Sequence, residues 1–189
     1  MRIVLTGGPH AGKTTLIDAL ARRGERVVPE VAIEVIADLR RELGDDAATA
    51  WRRAHATEFQ ERIAVKQLAL EAALRLAPGE RVFFDRGLFD GLAYCRLANV
   101  PAPRTVEAER SRRRYDLVVL CELVLPFTDR AGTGRTSDLA RAQTIEAALA
   151  AVWTELGYPL LRLPSSLTVA ERQALLLGRI ASLGPARAL

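Results

Sequence analysis

The eight residues Gly7-Gly8-Pro9-His10-Ala11-Gly12-Lys13-Thr14 match G-x-x-x-x-G-K-[ST] at every defined position. Those types at that spacing suit polyphosphate chemistry. Successive backbone N–H groups of a glycine-rich loop converge on phosphate oxygens, and a following helix adds the positive end of its dipole. Gly12 permits close backbone approach, Lys13 is placed to bridge the terminal phosphates, and the Thr14 hydroxyl is a ligand for Mg²⁺. Gly7 to Gly12, Lys13, Thr14 and the adjoining Thr15 are therefore the candidate nucleotide-binding residues. His10 fills a free position of the pattern and reads as loop filler.

A second group of side chains carries charge at points where strands are expected to end, which is where open α/β sheets bind ligands. Asp85 follows Val82-Phe83-Phe84 and is placed to hold Mg²⁺ directly or through water. Arg86 beside it can pair with phosphate or substrate charge, although an Asp-Arg pair is also an ordinary turn-and-cap device. Glu30 is a candidate general base for an attacking hydroxyl, or a charge that merely favours a helix start. Asp90 reads equally as a support for this site or as helix surface. Arg130 and Arg135 lie in a polar, glycine-containing stretch and are candidate clamps on the transferring phosphoryl group, with 126–138 as a lid loop. The cluster Arg110, Arg112, Arg113 and Arg114 reads as a solvated helix face.

The elements that must position these groups follow from apolar periodicity. Ile3-Val4-Leu5 is a short strand, broken by Gly7-Gly8-Pro9 before the helical pattern Leu16, Ile17, Leu20. A second strand runs from Arg26 to Pro29, and a helix from Glu30 to Gly44, after which Asp45 and Asp46 read as a connector. One long helix is expected from about Ala50 to Ala77, stopped by Pro78-Gly79. Arg81 to Phe84 is a strand, Leu88 to Leu97 a helix, and Thr105 to Arg114 a charged helix. The continuous apolar run Leu117 to Cys121 suits a strand covered on both faces. Ser137 is placed to cap a helix ending near Leu156, with Gly157 as its stop. Leu160 to Leu163 is the last strand, and Thr168 with Glu171 spells a capping box for a terminal helix. Leu163 to Ser166 is a candidate loop for the nucleobase. Five alternations of strand and helix predict an α/β fold: a P-loop three-layer sandwich on a five-stranded parallel sheet, formed by residues 1–189 as one domain.

Composition narrows the partners. A net charge of +4, with basic residues spread along the chain, suits acidic or phosphorylated ligands. No RNA-binding signature or aromatic-interleaved basic stretch points to a specific nucleic acid. Cys95 and Cys121 have no metal spacing and read as reduced, buried thiols. Without a leader pattern or an apolar run of about 18 residues, neither export nor a membrane span is expected, and the expected compartment is the cytoplasm.

GGPHAGKTTL at the start, VPEVA after the second strand, FFDRGLFDGLAYC mid-chain, RYD before the fourth strand and GRTSD in the polar loop together resemble the small AAA-type ATPase family. That family is related to the ribosylnicotinamide kinase domain of a bifunctional NAD-biosynthesis regulator. The resemblance covers nearly the whole chain and implies a nucleoside- or nucleotide-kinase-like fold, with Lys13 and Thr14 on the triphosphate, Asp85 near Mg²⁺ and Arg135 in the lid. The chain is also similar to deoxynucleoside kinases, where a glutamate after the second strand is the base and an acid-Arg pair follows the third. It departs from them in reading Asp85-Arg86-Gly87 in place of DRS or ERS, and in having Glu30 after Pro29 instead of before it. The expected activity is Mg²⁺-dependent transfer of the γ-phosphoryl group of ATP, or GTP, to a hydroxyl of a small molecule, a nucleoside among the candidates. The alternatives are a nucleotide-dependent switch and a phosphohydrolase.

Overall fold

Alternate residues along each strand face opposite sides of a sheet, and in this chain both sides are apolar. In the computed structural model, which describes residues 1–124 and 139–183, the strands are β1 (Arg2–Thr6), β2 (Arg26–Val28), β3 (Val82–Asp85), β4 (Leu117–Cys121) and β5 (Leu160–Leu163). They form one five-stranded sheet in the order β2-β3-β1-β4-β5, and every pairing is parallel. Ile3, Leu5, Phe83, Leu117, Val119 and Cys121 face one layer, where Leu16, Ile17 and Leu20 of α1 (Lys13–Arg22) and Leu176 and Ile180 of α8 (Val169–Ser182) cover them. Val4, Val82, Phe84 and Val118 face the other. There they meet α4 (Ala56–Ala73), α5 (Asp90–Leu97), α6 (Arg104–Glu109) and α7 (Leu139–Glu155). A parallel sheet covered on both faces is the arrangement that the continuous apolar runs require.

β1 lies at the centre, between β3 and β4, so its carboxyl end opens into the crevice where the strand order reverses. The loop that leaves β1 there is the glycine-rich one. Its tightness is enforced by neighbours: a Cβ on Gly7 would stand 2.4 Å from the Cys121 carbonyl oxygen, and one on Gly8 2.9 Å from that of Ala142. Gly12, at φ 73, caps α1 in the left-handed region that glycine enters without strain.

The structure corrects three local expectations. Asp45 and Asp46 are not a connector; they form the first turn of α3 (Asp45–Ala54), where negative charge meets the positive helix end. The long helix is broken at His55, whose φ of −121° and ψ of 49° are not helical. The break lets α3 pack Ala48 against Val31, Val35 and Leu39 of α2 (Val31–Leu43), while α4 runs on along α5. His55 stacks on Trp51 at this corner, with ring centroids 4.9 Å apart. α4 ends at Ala73, because Leu74 turns extended and Leu74 and Leu76 pack into the main core from a non-helical segment. The charged helix is also shorter than expected and stops at Glu109, since Arg114 is drawn into a buried ion pair with Glu71.

Other expectations hold. The Thr168–Glu171 capping box forms at the start of α8 with both of its reciprocal bonds. Gly157, at φ 75, follows the end of α7. The proposed cap Ser137 and the loop 126–138 lie outside the described residues. Cys95 and Cys121 are buried free thiols, and burial pushes each up to about 11. No helix among the described residues is long and apolar enough to cross a membrane.

Candidate active site

The loop from Gly7 to Gly12 joins β1 to α1, so Lys13, Thr14 and Thr15 are the first turn of a helix directed at whatever the loop encloses. Thr14 and Thr15 are exposed there. Lys13 is buried, and its Nζ donates to the carbonyl oxygens of Gly7 and Gly8, both at 2.9 Å. Burial, reinforced by the nearby Arg86 charge, lowers its ammonium to about 8 against the opposing pull of Asp85, Cys121 and Glu30. An ammonium held in this way gains from an anion that restores the lost solvation. His10 takes a positive φ of 61, and its carbonyl accepts from the Val124 N–H at 3.3 Å.

Three acids and one arginine converge beside the loop. Glu30 is the N-cap residue of α2 but makes no side-chain capping bond; its Oε1 accepts from Arg86 Nε at 3.0 Å. Glu30 thus stands at the helix start, with its carboxylate turned to Arg86 and not to the helix amides. Arg86 sits at φ 75, an unfavourable conformation for a residue with a Cβ. From there its guanidinium reaches Glu30, the Gly7 carbonyl at 3.4 Å, Asp90 at 3.3 Å and the Tyr94 ring at 5.5 Å. Burial acts against its charge, but Tyr94, Glu30, Asp90 and Asp85 together hold it above its ordinary value. Gly87 follows because nothing larger fits: a Cβ there would meet Trp153 and Val4 at 2.9 Å. This is the physical reason why the third-strand motif ends in glycine.

Asp85 and Asp90 differ in one respect. Asp90 is buried and fully occupied, accepting from Thr6 Oγ1 at 2.9 and 2.8 Å, Trp153 Nε1 at 2.7 Å and Arg86. Burial raises it, with Arg86, Thr6 and Trp153 pulling the other way. Its sequence position left surface and site equally open; the structure makes it the anchor that fixes Arg86. Asp85 is also buried, yet its Oδ1 has no hydrogen-bond partner. Burial pushes its carboxyl up, Lys13 opposes the shift, and Glu30 adds to it. Buried carboxylate oxygens are normally satisfied, so a missing partner marks a place prepared for a ligand. A magnesium ion fits that oxygen. Mg²⁺ takes one or two carboxylates plus water and phosphate oxygens, and among the described residues no larger group of His, Cys, Asp or Glu is gathered.

Glu30, Asp85, Arg86 and Asp90 all line one cavity of about 660 Å³, whose wall also includes Pro9 of the loop. The far wall is built from Phe59, Gln60, Ile63, Ala64 and Gln67 of α4. Sequence periodicity marked Phe59 and Ile63 as an apolar stripe. Gln60 and Gln67, seven residues apart and thus on the same helix face, gave no separate signal. Arg172 was missed altogether. Buried on α8, it donates to the carbonyls of Ala11 at 2.7 Å, Pro164 at 3.0 Å and Glu122 at 3.2 Å, tying the glycine-rich loop to the loop after β5. Nothing local distinguishes it from a solvated helix arginine. Arg130 and Arg135 lie outside the described residues. Of the four-arginine cluster, Arg110 and Arg112 pair with Glu107 and Glu109 on the surface, and Arg113 lies over the Tyr158 ring at 4.9 Å. Arg114 alone is drawn inward.

Central parallel strand, glycine-rich loop, helix-borne lysine and flanking acids define a P-loop α/β protein. The chain belongs to the AAA domain family, whose model matches residues 2–172. No curated protein matches the sequence. In fold it is similar to deoxyadenosine kinase from M. mycoides with the products dCMP and dCDP bound. The TM-score is 0.63 and the identity 15%, covering 97% of this chain and all (100%) of that one. The structure of the same enzyme with dATP aligns at a TM-score of 0.63 and 15% identity, over 96% of this chain and 100% of that one. With dCTP the TM-score is 0.59, at 15% identity over 96% and 100% of the two chains.

Proposed function

We propose that this protein is a Mg²⁺-dependent phosphotransferase that moves the γ-phosphoryl group of ATP, or GTP, to a hydroxyl of a small molecule seated in the cavity beside the phosphate-binding loop. The observation that carries this reading is the cavity itself. A switch needs only the loop, whereas here a ligand-sized space adjoins the loop and is lined by Glu30, Asp85 and Arg86. The likeness in fold to deoxyadenosine kinase supports a nucleoside-like acceptor.

In this reading the amides of Gly7 to Gly12 and the dipole of α1 hold the polyphosphate. Lys13 exchanges the Gly7 and Gly8 carbonyls for phosphate oxygens, which favours its charged form. Thr14 and Asp85 would hold a magnesium ion, which would supply charge neutralisation on the phosphates. Glu30 accepts the proton of the acceptor hydroxyl. The hydroxyl oxygen forms a bond to the γ-phosphorus as the bond from that phosphorus to the bridging oxygen breaks, and the nucleoside diphosphate leaves. Arg86, fixed by Glu30 and Asp90, meets the charge developing on the transferred group. Arg130 and Arg135 serve as further clamps from the segment 126–138. The whole chain acts as one nucleotide-binding unit, in the cytoplasm.

Glu30→Gln tests the assignment. Nucleotide affinity measured by calorimetry with Mg²⁺ is expected to stay within a few-fold of the parent, while transfer to an accepted nucleoside or sugar falls by about 10² to 10⁴, the usual range for a positioned base. Acceptor-independent nucleotide turnover that Glu30→Gln leaves unchanged overturns the reading in favour of a switch or hydrolase.

A further inference from the structure

The cavity has two kinds of wall. At the strand ends Glu30 and Asp90 are matched by Arg86, and Asp85 faces Lys13. On the α3 side it is lined by Arg52 and Arg53, and Arg141 at the start of α7 adds a third cationic side chain.

Arg52 is half-buried, and its Nε is shielded from solvent with no hydrogen-bond partner. Its NH2 reaches only the Thr49 hydroxyl, at 3.5 Å, and the guanidinium lies over the Phe59 ring at 5.7 Å. Neither Arg52 nor Arg53 has a carboxylate partner among the described residues. Burial lowers Arg52 first, and the like charges of Arg40 and Arg53 lower it further. Arg40, whose charge bears on Arg52, is itself paired with Asp45 at 3.2 Å. Two adjacent guanidinium groups facing a cavity without a counter-ion repel each other. An anion between them relieves the repulsion and supplies the missing acceptor for a buried N–H.

The spacing is compatible with one ligand spanning both walls. Gln60 and Gln67 both line the cavity, and seven residues of helix extend ~10 Å. A reacting hydroxyl beside Glu30 and a charged group beside Arg52 therefore suit opposite ends of a nucleoside-sized molecule.

We infer that the acceptor is an anion, a hydroxyl-bearing small molecule whose carboxylate or phosphate is bound by Arg52 and Arg53 on the α3 side of the cavity; this rests on the phosphotransferase reading above. A neutral nucleoside leaves those guanidinium groups uncompensated. Specificity follows from that difference, since a site with a shielded, unpaired N–H on Arg52 discriminates against a ligand lacking the partner group.

Matched acceptor pairs test it, each differing in one charged group and leaving a hydroxyl free: uridine against its 6-carboxylate, uridine and adenosine against their 3′-monophosphates, and glucose against glucuronate. Binding is read by calorimetry in the presence of a non-hydrolysable triphosphate, and turnover by phosphate transfer. At least one acidic member is expected to exceed its neutral partner tenfold or more in kcat/KM; whether the carboxylates or the monophosphates show it identifies the group. In the double variant Arg52→Gln, Arg53→Gln, KM for that acid is expected to rise at least tenfold with a smaller change in kcat. Arg52→Lys with Arg53→Lys is expected to restore part of the preference. Equal or better turnover of the neutral member in every pair overturns the inference and leaves the phosphotransferase reading standing, as does failure of every acidic probe to bind. Failure of all acceptors to raise nucleotide turnover overturns both.

Discussion

Two buried polar clusters, one reached by Arg2 at the start of β1 and one beside Leu5 near its end, are finished to different degrees. Around Glu71 every oxygen is used. Oε1 accepts from Gln67 at 2.9 Å and Tyr115 at 2.6 Å, Oε2 from Arg114 at 2.7 Å and Arg2 at 3.3 Å, and the backbone oxygen from Arg2 at 3.1 Å. Around Asp85 one oxygen has nothing. A satisfied network of this kind ties α4 to β1 and to the segment before β4 and suits a structural role, whereas an unsatisfied one leaves an acceptor that a ligand can use. The difference separates scaffold from site more sharply than burial does, since both carboxylates are buried.

The largest expected effect breaks the finished cluster. Glu71→Ala leaves Arg114 and Arg2 facing a buried gap and is expected to cost about 3–5 kcal/mol in denaturant unfolding, with nucleotide affinity of the remaining folded protein changed only a few-fold. A stability loss below about 1 kcal/mol contradicts the structural role. Asp85→Asn is the mirror experiment. Because burial raises this carboxyl, a neutral isostere removes a desolvation cost, so unfolding free energy is expected to hold or rise, while phosphate transfer falls by roughly 10² or more. If instead Asp85→Asn destabilises as much as Glu71→Ala, the contrast between the clusters fails.

Gly87 packs closely under Trp153. Gly87→Ser is expected to cost about 1–3 kcal/mol by overpacking, measured as a lower denaturation midpoint, and to weaken Arg86 positioning at the same time. An unchanged midpoint shows that Trp153 can yield.

Lys13 supplies the pH test. Its folded-state value is lowered from 10.5 to about 8, so between those pH values the unfolded chain holds a proton that the folded chain has released. Its contribution to stability therefore rises with pH across that window, and its cost is full below about 8. Phosphate favours the charged form, so above pH about 8 nucleotide binding is expected to take up a proton and weaken by at most about tenfold per pH unit. Calorimetry in buffers of different ionisation heat reads the proton directly; Lys13→Met should abolish the uptake. The smallest effect is at the rim of the Glu71 cluster. Arg112, 70% exposed opposite Glu109, is expected to change stability by less than about 0.5 kcal/mol when replaced by Ala, and a larger loss by thermal or chemical unfolding makes it part of the network.

How much of this was legible in the sequence depends on how local the cause is. The glycine-rich loop between β1 and α1, the strands and the capping box at Thr168 are set by residues within a few positions of one another, and all were readable. The break at His55 was not, because it serves the packing of Ala48 on α2 and has no local breaker residue. Asp90 was ambiguous because its partners Thr6 and Trp153 are 84 and 63 residues away. Arg172 was invisible for the same reason, its Ala11 partner being 161 residues distant.

By itself the sequence determined that a glycine-rich turn, a lysine and a helix start would follow a buried strand, since steric freedom, apolar periodicity and capping act over one or two turns of chain. Only the tertiary structure decided which acids share the crevice, which carboxylate oxygen stays unpaired and that Arg52 and Arg53 line the same cavity. Those outcomes depend on what the strand order β2-β3-β1-β4-β5 brings together across the chain, and the free energy of a buried charge is set by that company and not by its neighbours in sequence.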